Sequence, residues 1–226
     1  MSIKEIIINF LISFLSIFLG MLFTFLGQGM IDRAADRKDV RSALDLIRTE
    51  LITNIEDVGI MTDFLNQETK SAQYFLDNRA NLAKCPADSI DYHSGIIFAD
   101  VSITLSHDAL ELLKMSSLFQ KIGDSRLSME IIRAYDTCES IVANVNHHIS
   151  ERDAQFARSI NEKTVSQYAS GGTINIRKYI QTAYGLYTLR WLKAQPNPEV
   201  FTDVSDIRKA VDGIDSYLSH KRHRAK

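Results

Sequence analysis

The residues best suited to chemistry are His147 and His148, adjacent in the chain, with Glu151 one helical turn further on. Imidazole and carboxylate donors are what a metal site uses, but a site inside a helical bundle draws Glu-x-x-His pairs from facing helices, and neither Glu-x-x-His nor His-Glu-x-x-His occurs here. Consecutive residues on a helix point about 100° apart, so the two imidazoles do not share one site. The spacing therefore predicts a pair on a helix surface, with no metal. Cys85 and Cys138 lie far from any Cys-x-x-Cys spacing. Cys138 falls on an apolar stripe and reads as core; Cys85 falls in a loop, with nothing nearby that marks it as a nucleophile. Gly171-Gly172 reads as a helix C-terminus, since no phosphate-binding loop, dinucleotide fingerprint or nucleophile elbow surrounds it. No enzymatic constellation and no cofactor is expected.

Two further groups carry charge or aromatic surface. The chain ends His220-Lys221-Arg222-His223-Arg224-Ala225-Lys226. Of these, Lys221, Arg222, Arg224 and Lys226 suit anionic lipid headgroups or the phosphates of RNA, although a short basic tail is most often simply solvated. Tyr179, Tyr184, Tyr187 and Trp191 recur within one segment. They read as core or interface, because base-stacking platforms normally come with basic grooves. A formal charge of −2 and a pI near 6.3 argue against nucleic-acid binding through a broadly basic surface.

The elements that must position these groups begin with an uncharged run from Ile6 to Ile31. Such a run is long enough to cross a bilayer, which takes about 20 mostly apolar residues. It is too long for the apolar region of a cleaved signal peptide, and Gly27-Gln28-Gly29 onward is a poor cleavage site. Within the run, Asn9, Ser13, Ser16, Gly20, Thr24 and Gly27 are spaced four, three, four, four and three residues apart. That spacing places all six on one helical face. A plain anchor has no need of a polar stripe. Only Lys4 precedes the span, whereas Arg33, Arg37, Lys38, Arg41 and Arg48 follow it. Basic residues are retained on the cytoplasmic side, so the expected topology is a single pass through the inner (plasma) membrane with the C-terminal domain in the cytoplasm. Both cysteines are then free thiols.

The remaining chain, residues 32–226, is long enough for one domain with a core and is poor in proline and glycine. Leu44, Ile47, Leu51, Ile55 and Val58 keep a helical period, giving a stalk helix over about 32–78 that continues the membrane helix or kinks near Gly27–Gly29. Cys85-Pro86 breaks the chain, and Ile96-Ile97-Phe98 reads as a short strand or a buried loop. Ser106 has the character of an N-cap, with Leu105, Ala109, Leu112 and Leu113 as the inner face of the helix it starts and Gly123 as its end. A long helix from Ser125 to about Lys163 carries the stripe Leu127, Ile131, Tyr135, Cys138, Val142, Val145, Ile149, Phe156 and Ile160. Thr173 is expected to start a helix reaching Ala194, and Pro196-Asn197-Pro198 to break it. A last helix from Ser205 carries Ile207, Ala210, Val211, Ile214 and Leu218. The expected architecture is all-α: a transmembrane helix over 1–31 leading into a helical-bundle domain, with the bundle at about 100–220.

The striped span Asn9–Gly27, the charged exit Asp32–Arg41 and the long helix Ser125–Lys163 together give a layout that resembles the transmembrane accessory proteins of type VI-B CRISPR systems. The resemblance covers the whole chain in layout and no signature motif. It implies a HEPN-like helical domain, assembly into a membrane pore, a role in bacterial antiviral defence and a cytoplasmic CRISPR effector as partner. Active HEPN nucleases carry Arg, four to six residues, then His; no pair here has that spacing, and Arg152 is followed by no such His. A HEPN-like domain in this chain is therefore expected to be catalytically dead.

Two functions follow from the stripe. In one, copies of the chain associate in the lipid bilayer as a pore or membrane-perturbing effector, with hydroxyl and amide side chains lining water and Gly20 and Gly27 allowing close helix approach. In the other, the stripe is a dry dimer seam in a non-conducting scaffold or sensor whose cytoplasmic domain binds a protein.

Overall fold

The computed structural model describes the backbone of residues 3–160, 169–170, 173–174 and 176–223, and the side chains of residues 19, 21, 35–158 and 176–219. Its dominant element is α1, a single helix from Ile3 to Asn78. No kink interrupts it at Gly27–Gly29, so the continuous form of the two expected stalks is the one observed. Among the described residues no helix is long and apolar enough to cross a membrane. Apart from Leu19 and Met21, the expected span, residues 1–31, lies outside the residues whose side chains are described.

The buried positions of α1 are Val40, Leu44, Ile47, Leu51, Asn54, Val58, Met61, Leu65, Glu68, Ser71, Ala72 and Phe75. Apart from Ser71, which lies beside Ala72, they alternate four and three residues apart, the seven-residue repeat that keeps one seam against neighbouring helices. The sequence placed Ile55 in this series, but Ile55 is half-buried and polar Asn54 holds the position instead.

Around α1 the chain winds a short 3-10 turn at Arg79–Lys84, then α2 (Ala87–Ile97), α3 (Asp108–Met115), α4 (Leu118–Lys121) and α5 (Ser125–Ile160). Ala169↔Ile174 and Ser170↔Thr173 pair as a minimal antiparallel ladder, followed by α6 (Ile176–Tyr179), α7 (Ala183–Lys193), a 3-10 turn at Pro198–Val200 and α8 (Ser205–His223). Contacts such as Tyr135 to Glu50 and His148 to Glu68 show α5 running parallel to α1. Arg48 to Asp215 and Arg41 to the Leu218 carbonyl show α8 running back antiparallel to it.

Two apolar clusters result. The first joins α1 from Val40 to Leu65 with α3, α5 and α8; the second joins Ala72 and Phe75 with Leu82, Ile90, Ile97, Phe156 and the α6–α7 segment. The predicted stripe on α5 is largely confirmed, with Leu127, Ile131, Tyr135, Cys138, Val145, Ile149 and Phe156 buried, Val142 half-buried and Ile160 outside the described side chains.

Several expectations are corrected. Ile96 and Ile97 end a helix rather than forming a strand or a loop, because Pro86 supplies a start and Ile90 and Ile97 point the same way inward. Leu112 is exposed on α3 and Leu110 takes its place in the core. That helix stops at Met115, where Ser117 adopts a left-handed conformation, well before Gly123. No helix starts at Thr173; Thr173 pairs in the ladder, and Gly171-Gly172 lies outside the described residues. The aromatic segment is split, since Gln181 and Thr182 turn the chain and Thr182 caps a fresh helix by accepting from the Gly185 amide.

Gly185 is where α7 meets α6. A Cβ there would lie 2.2 Å from the Tyr179 carbonyl oxygen, a backbone atom that cannot yield, whereas Gly59 on the outer face of α1 has nothing within 4 Å. Gly185→Ala is expected to lose about 1–3 kcal/mol by overpacking. Gly59→Ala is expected to gain up to about 1 kcal/mol from helix propensity. Denaturant unfolding of both variants checks the pair.

Candidate functional site

Glu68 occupies a core position of α1, its side chain 2 % exposed. A carboxylate is carried there only if charged or polar partners replace the water it loses. Arg152 on α5, equally buried, donates from Nη1 to Glu68 Oε1 at 3.0 Å. His148, one turn earlier on the same helix, stands with Nε2 3.0 Å from Glu68 Oε2. Against an ionised carboxylate that nitrogen must carry the proton, which fixes the tautomer. Arg152 also donates from Nε and Nη2 to Asp153 Oδ1 at 3.1 and 3.0 Å. The His148 ring stacks on Trp191 of α7, with centroids 5.5 Å apart and planes 20° apart, and on Phe201 at 6.4 Å. One carboxylate thus ties α1 to α5, and the imidazole it holds carries α7.

His147 and His148 do point apart, His147 outward and exposed. His148, however, is not a surface residue as the sequence implied. Glu151 is exposed and joins neither. Arg152 belongs to this buried cluster, with both Glu68 oxygens engaged. Among the described residues no group of three or more His, Cys, Asp or Glu is placed to hold a metal ion.

A second polar cluster sits on α1 at Glu50 and Asn54, about four to five turns before Glu68. Glu50 accepts from Tyr135 Oη, from Ser106 Oγ at 2.6 Å and from the Ala109 amide at 3.0 Å. Glu50 thereby caps α3 from another helix, where a carboxylate complements the exposed amides and the dipole. Asn54 grips the Ser106 backbone from both sides, donating to its carbonyl at 2.8 Å and accepting from its amide at 3.0 Å. The N-cap position is thus His107 rather than the expected Ser106, and the capping acceptor for the Ala109 amide comes from Glu50 on α1. Burial and the Glu50 carboxylate raise the Tyr135 phenol well above its ordinary range. Burial pushes the Cys138 thiol up to about 11, so it stays protonated and unreactive at neutral pH.

In the second core, Ser71 Oγ and His93 Nδ1 are 3.0 Å apart, a nucleophile-and-base spacing. Ser71 is 1 % exposed on the inner face of α1, so no substrate reaches it from solvent in this conformation. His93 stacks on Tyr74 at 4.0 Å, and burial lowers its pKa. Among the described residues no buried side-chain nitrogen or oxygen lacks a hydrogen bond.

Asn9, Ser13, Ser16, Gly20, Thr24 and Gly27 all lie along α1, with their side chains outside the described set. Lys221 and Arg222 lie in the last turn of α8 under the same restriction, and Arg224 and Lys226 fall beyond the described residues. Glu50, Asn54, Glu68, Ser71 and His93 were not singled out by sequence. The available signal was their place in the seven-residue repeat or beside it, which a count of apolar residues alone passes over. Compared with known proteins, the chain matches no family, no curated protein and no solved structure.

Removing Arg152 strands a buried carboxylate, so Arg152→Met is expected to cost about 3–5 kcal/mol. The double variant Glu68→Met with Arg152→Met is expected to recover most of that loss, measured by chemical unfolding. His93 has the opposite kind of liability. Its folded pKa lies below the unfolded value of about 6.5, so the unfolded chain takes up the proton first and stability falls as pH drops below that value. Thermal melts at neutral and mildly acid pH should show this loss, and His93→Phe should reduce it.

Proposed function

We propose that the chain is a single-span membrane protein that assembles with copies of itself into a pore or membrane-perturbing effector, its bundle in the cytoplasm. The observation that carries the reading is the helical phase of α1. Residues 18 apart on a helix are about five turns apart and share a face. Gly20, Thr24 and Gly27 thus share the face of Lys38, Ser42 and Asp45, all exposed and opposite Val40, Leu44 and Ile47. The polar stripe runs into the one side of α1 that the bundle leaves open.

The open face continues through Thr49, Thr53, Glu56, Ile60 and Asp63. A dry two-helix seam along it would bring Asp45, Glu56 and Asp63 against their own copies, and like charges at close range are unfavourable. In a ring of helices around water the same side chains stay hydrated and attract cations. This favours the wet assembly over the non-conducting dimer. Lipid contact also has support. Because α8 runs antiparallel to α1, its end at His223 returns toward the charged exit Asp32–Arg41, beside which Lys121 already pairs with Asp36 at 2.7 Å. An α8 that ends at this level of the stalk supports contact between the basic tail and anionic headgroups. The setting in antiviral defence, with a CRISPR effector as partner, is carried over from the layout resemblance alone.

Membrane potential in cells expressing the full chain tests the reading. Wild type should depolarise the membrane; Asn9→Leu, Ser13→Leu and Thr24→Leu together should weaken the effect. Glu56→Lys with Asp63→Lys should shift ion preference from cations toward anions. A polarised membrane together with a dimer by native mass would establish the scaffold instead.

A further inference from the structure

At the far end of α1 from the stripe, a groove of about 450 Å³ runs between α1 and α7, lined by Leu76, Arg79, Leu186, Arg190, Lys193 and Ala194. Three cations line it and no acid does. Arg79 is held in place by donating from Nε to the Ile180 carbonyl at 3.3 Å. Arg190 and Lys193 are exposed and have no ion-pair partner among the described residues. Cations in the last turn of α7 offset its dipole. That accounts for Arg190 and Lys193 on their own, but not for Arg79 converging on them from another helix.

Tyr187 does not line the groove, but it stands one turn before Arg190 on α7 and is 56 % exposed, a spacing that makes the two side chains neighbours on the helix surface. The charge is not local chance. Between Lys163 and Pro198 the chain has no Asp or Glu, while Lys163, Arg177, Lys178, Arg190 and Lys193 fall in that stretch of an otherwise slightly acidic protein. Arg177 donates to the Leu82 carbonyl at 3.0 Å, which sets a further cation against the turn that carries Arg79.

We propose that this α1–α7 groove binds single-stranded nucleic acid, with Arg79, Arg190 and Lys193 on its phosphates and Tyr187 stacked on a base. A track of cations beside an exposed aromatic ring is the arrangement such strands use. A lipid surface fits less well, a choice that rests on the membrane reading above. From Ile31 to Leu76 the helix rises about 70 Å at 1.5 Å per residue, far from any bilayer that α1 enters. The overall acidic balance, which argued against a broadly basic surface, leaves room for a local one.

The test is anisotropy of a labelled single-stranded oligothymidylate titrated with the full chain in mild detergent, over a range of salt. Binding should weaken with salt at a log–log slope of about −2 for three engaged cations, at about −0.7 each. Arg190→Ala with Lys193→Ala should flatten the slope by about 1.4. Tyr187→Ala should lower affinity about tenfold or more without changing the slope. All three sites are on the surface, and circular dichroism establishes that the variants fold. No binding at low salt, an unchanged slope in the double variant, or equal displacement by charge-matched polyglutamate overturns the assignment. Oligonucleotide binding needs no bilayer, so its failure is separate from a failure to depolarise membranes.

Discussion

Everything in the bundle is hung on the inner face of α1, and the two polar residues within its seven-residue repeat decide how. Asn54 and Glu68 occupy core positions of a seven-residue repeat that is otherwise aliphatic or aromatic from Val40 to Phe75. An apolar seam by itself tolerates sliding by a heptad, because one Leu or Ile packs much like the next. A buried amide or carboxylate does not, since it costs several kcal/mol unless its own partners are in register. Asn54 is bonded to both backbone groups of Ser106 and donates to Cys138 Sγ, and Glu68 accepts from Arg152 and pairs with His148. These contacts fix α3 and α5 along α1, much as a single polar core residue fixes register in coiled coils.

The same register gives α1 two sides with different work. The inner side is consumed by packing, so whatever the helix does with other molecules falls to the outer side and to its two ends. One end leads into the uncharged run with its polar stripe; the other reaches the second core, where α7 and the cationic groove sit. Because the helix is continuous, the groove end and the uncharged run are joined by one helical rod rather than by a chain of loops. The buried Glu68–Arg152–His148 cluster lies near the groove end of that rod and joins α7 to it through Trp191.

What sequence made legible was periodicity. The stripe on α5 and the apolar members of the α1 repeat could be read directly, because burial of a continuous face imposes a 3.5–3.6 residue period. Polar members of the same faces were not legible. Asn54, Glu68 and Arg152 look like surface residues until partners about 50 to 84 positions away are brought to them, and nothing local encodes those partners. Short apolar runs were ambiguous for a related reason. Ile96 and Ile97 have too few neighbours to show a period, so the helix they close depended on Pro86 and on the second core. The cationic groove was missed because its members come from two helices, and bulk charge averages them with acids elsewhere.

The central claim is that several copies meet through the outer face of α1, with the bundles turned outward. Distances between spin labels attached at Thr53→Cys, in full-length protein with Cys85→Ser and reconstituted in bilayers, test it most directly. A ring of four or more copies predicts more than one inter-copy distance from the single labelled site, and a ring of three a single distance with three coupled spins. A single distance with two coupled spins would mean a dimer, and no measurable distance a monomer; either would contradict the account.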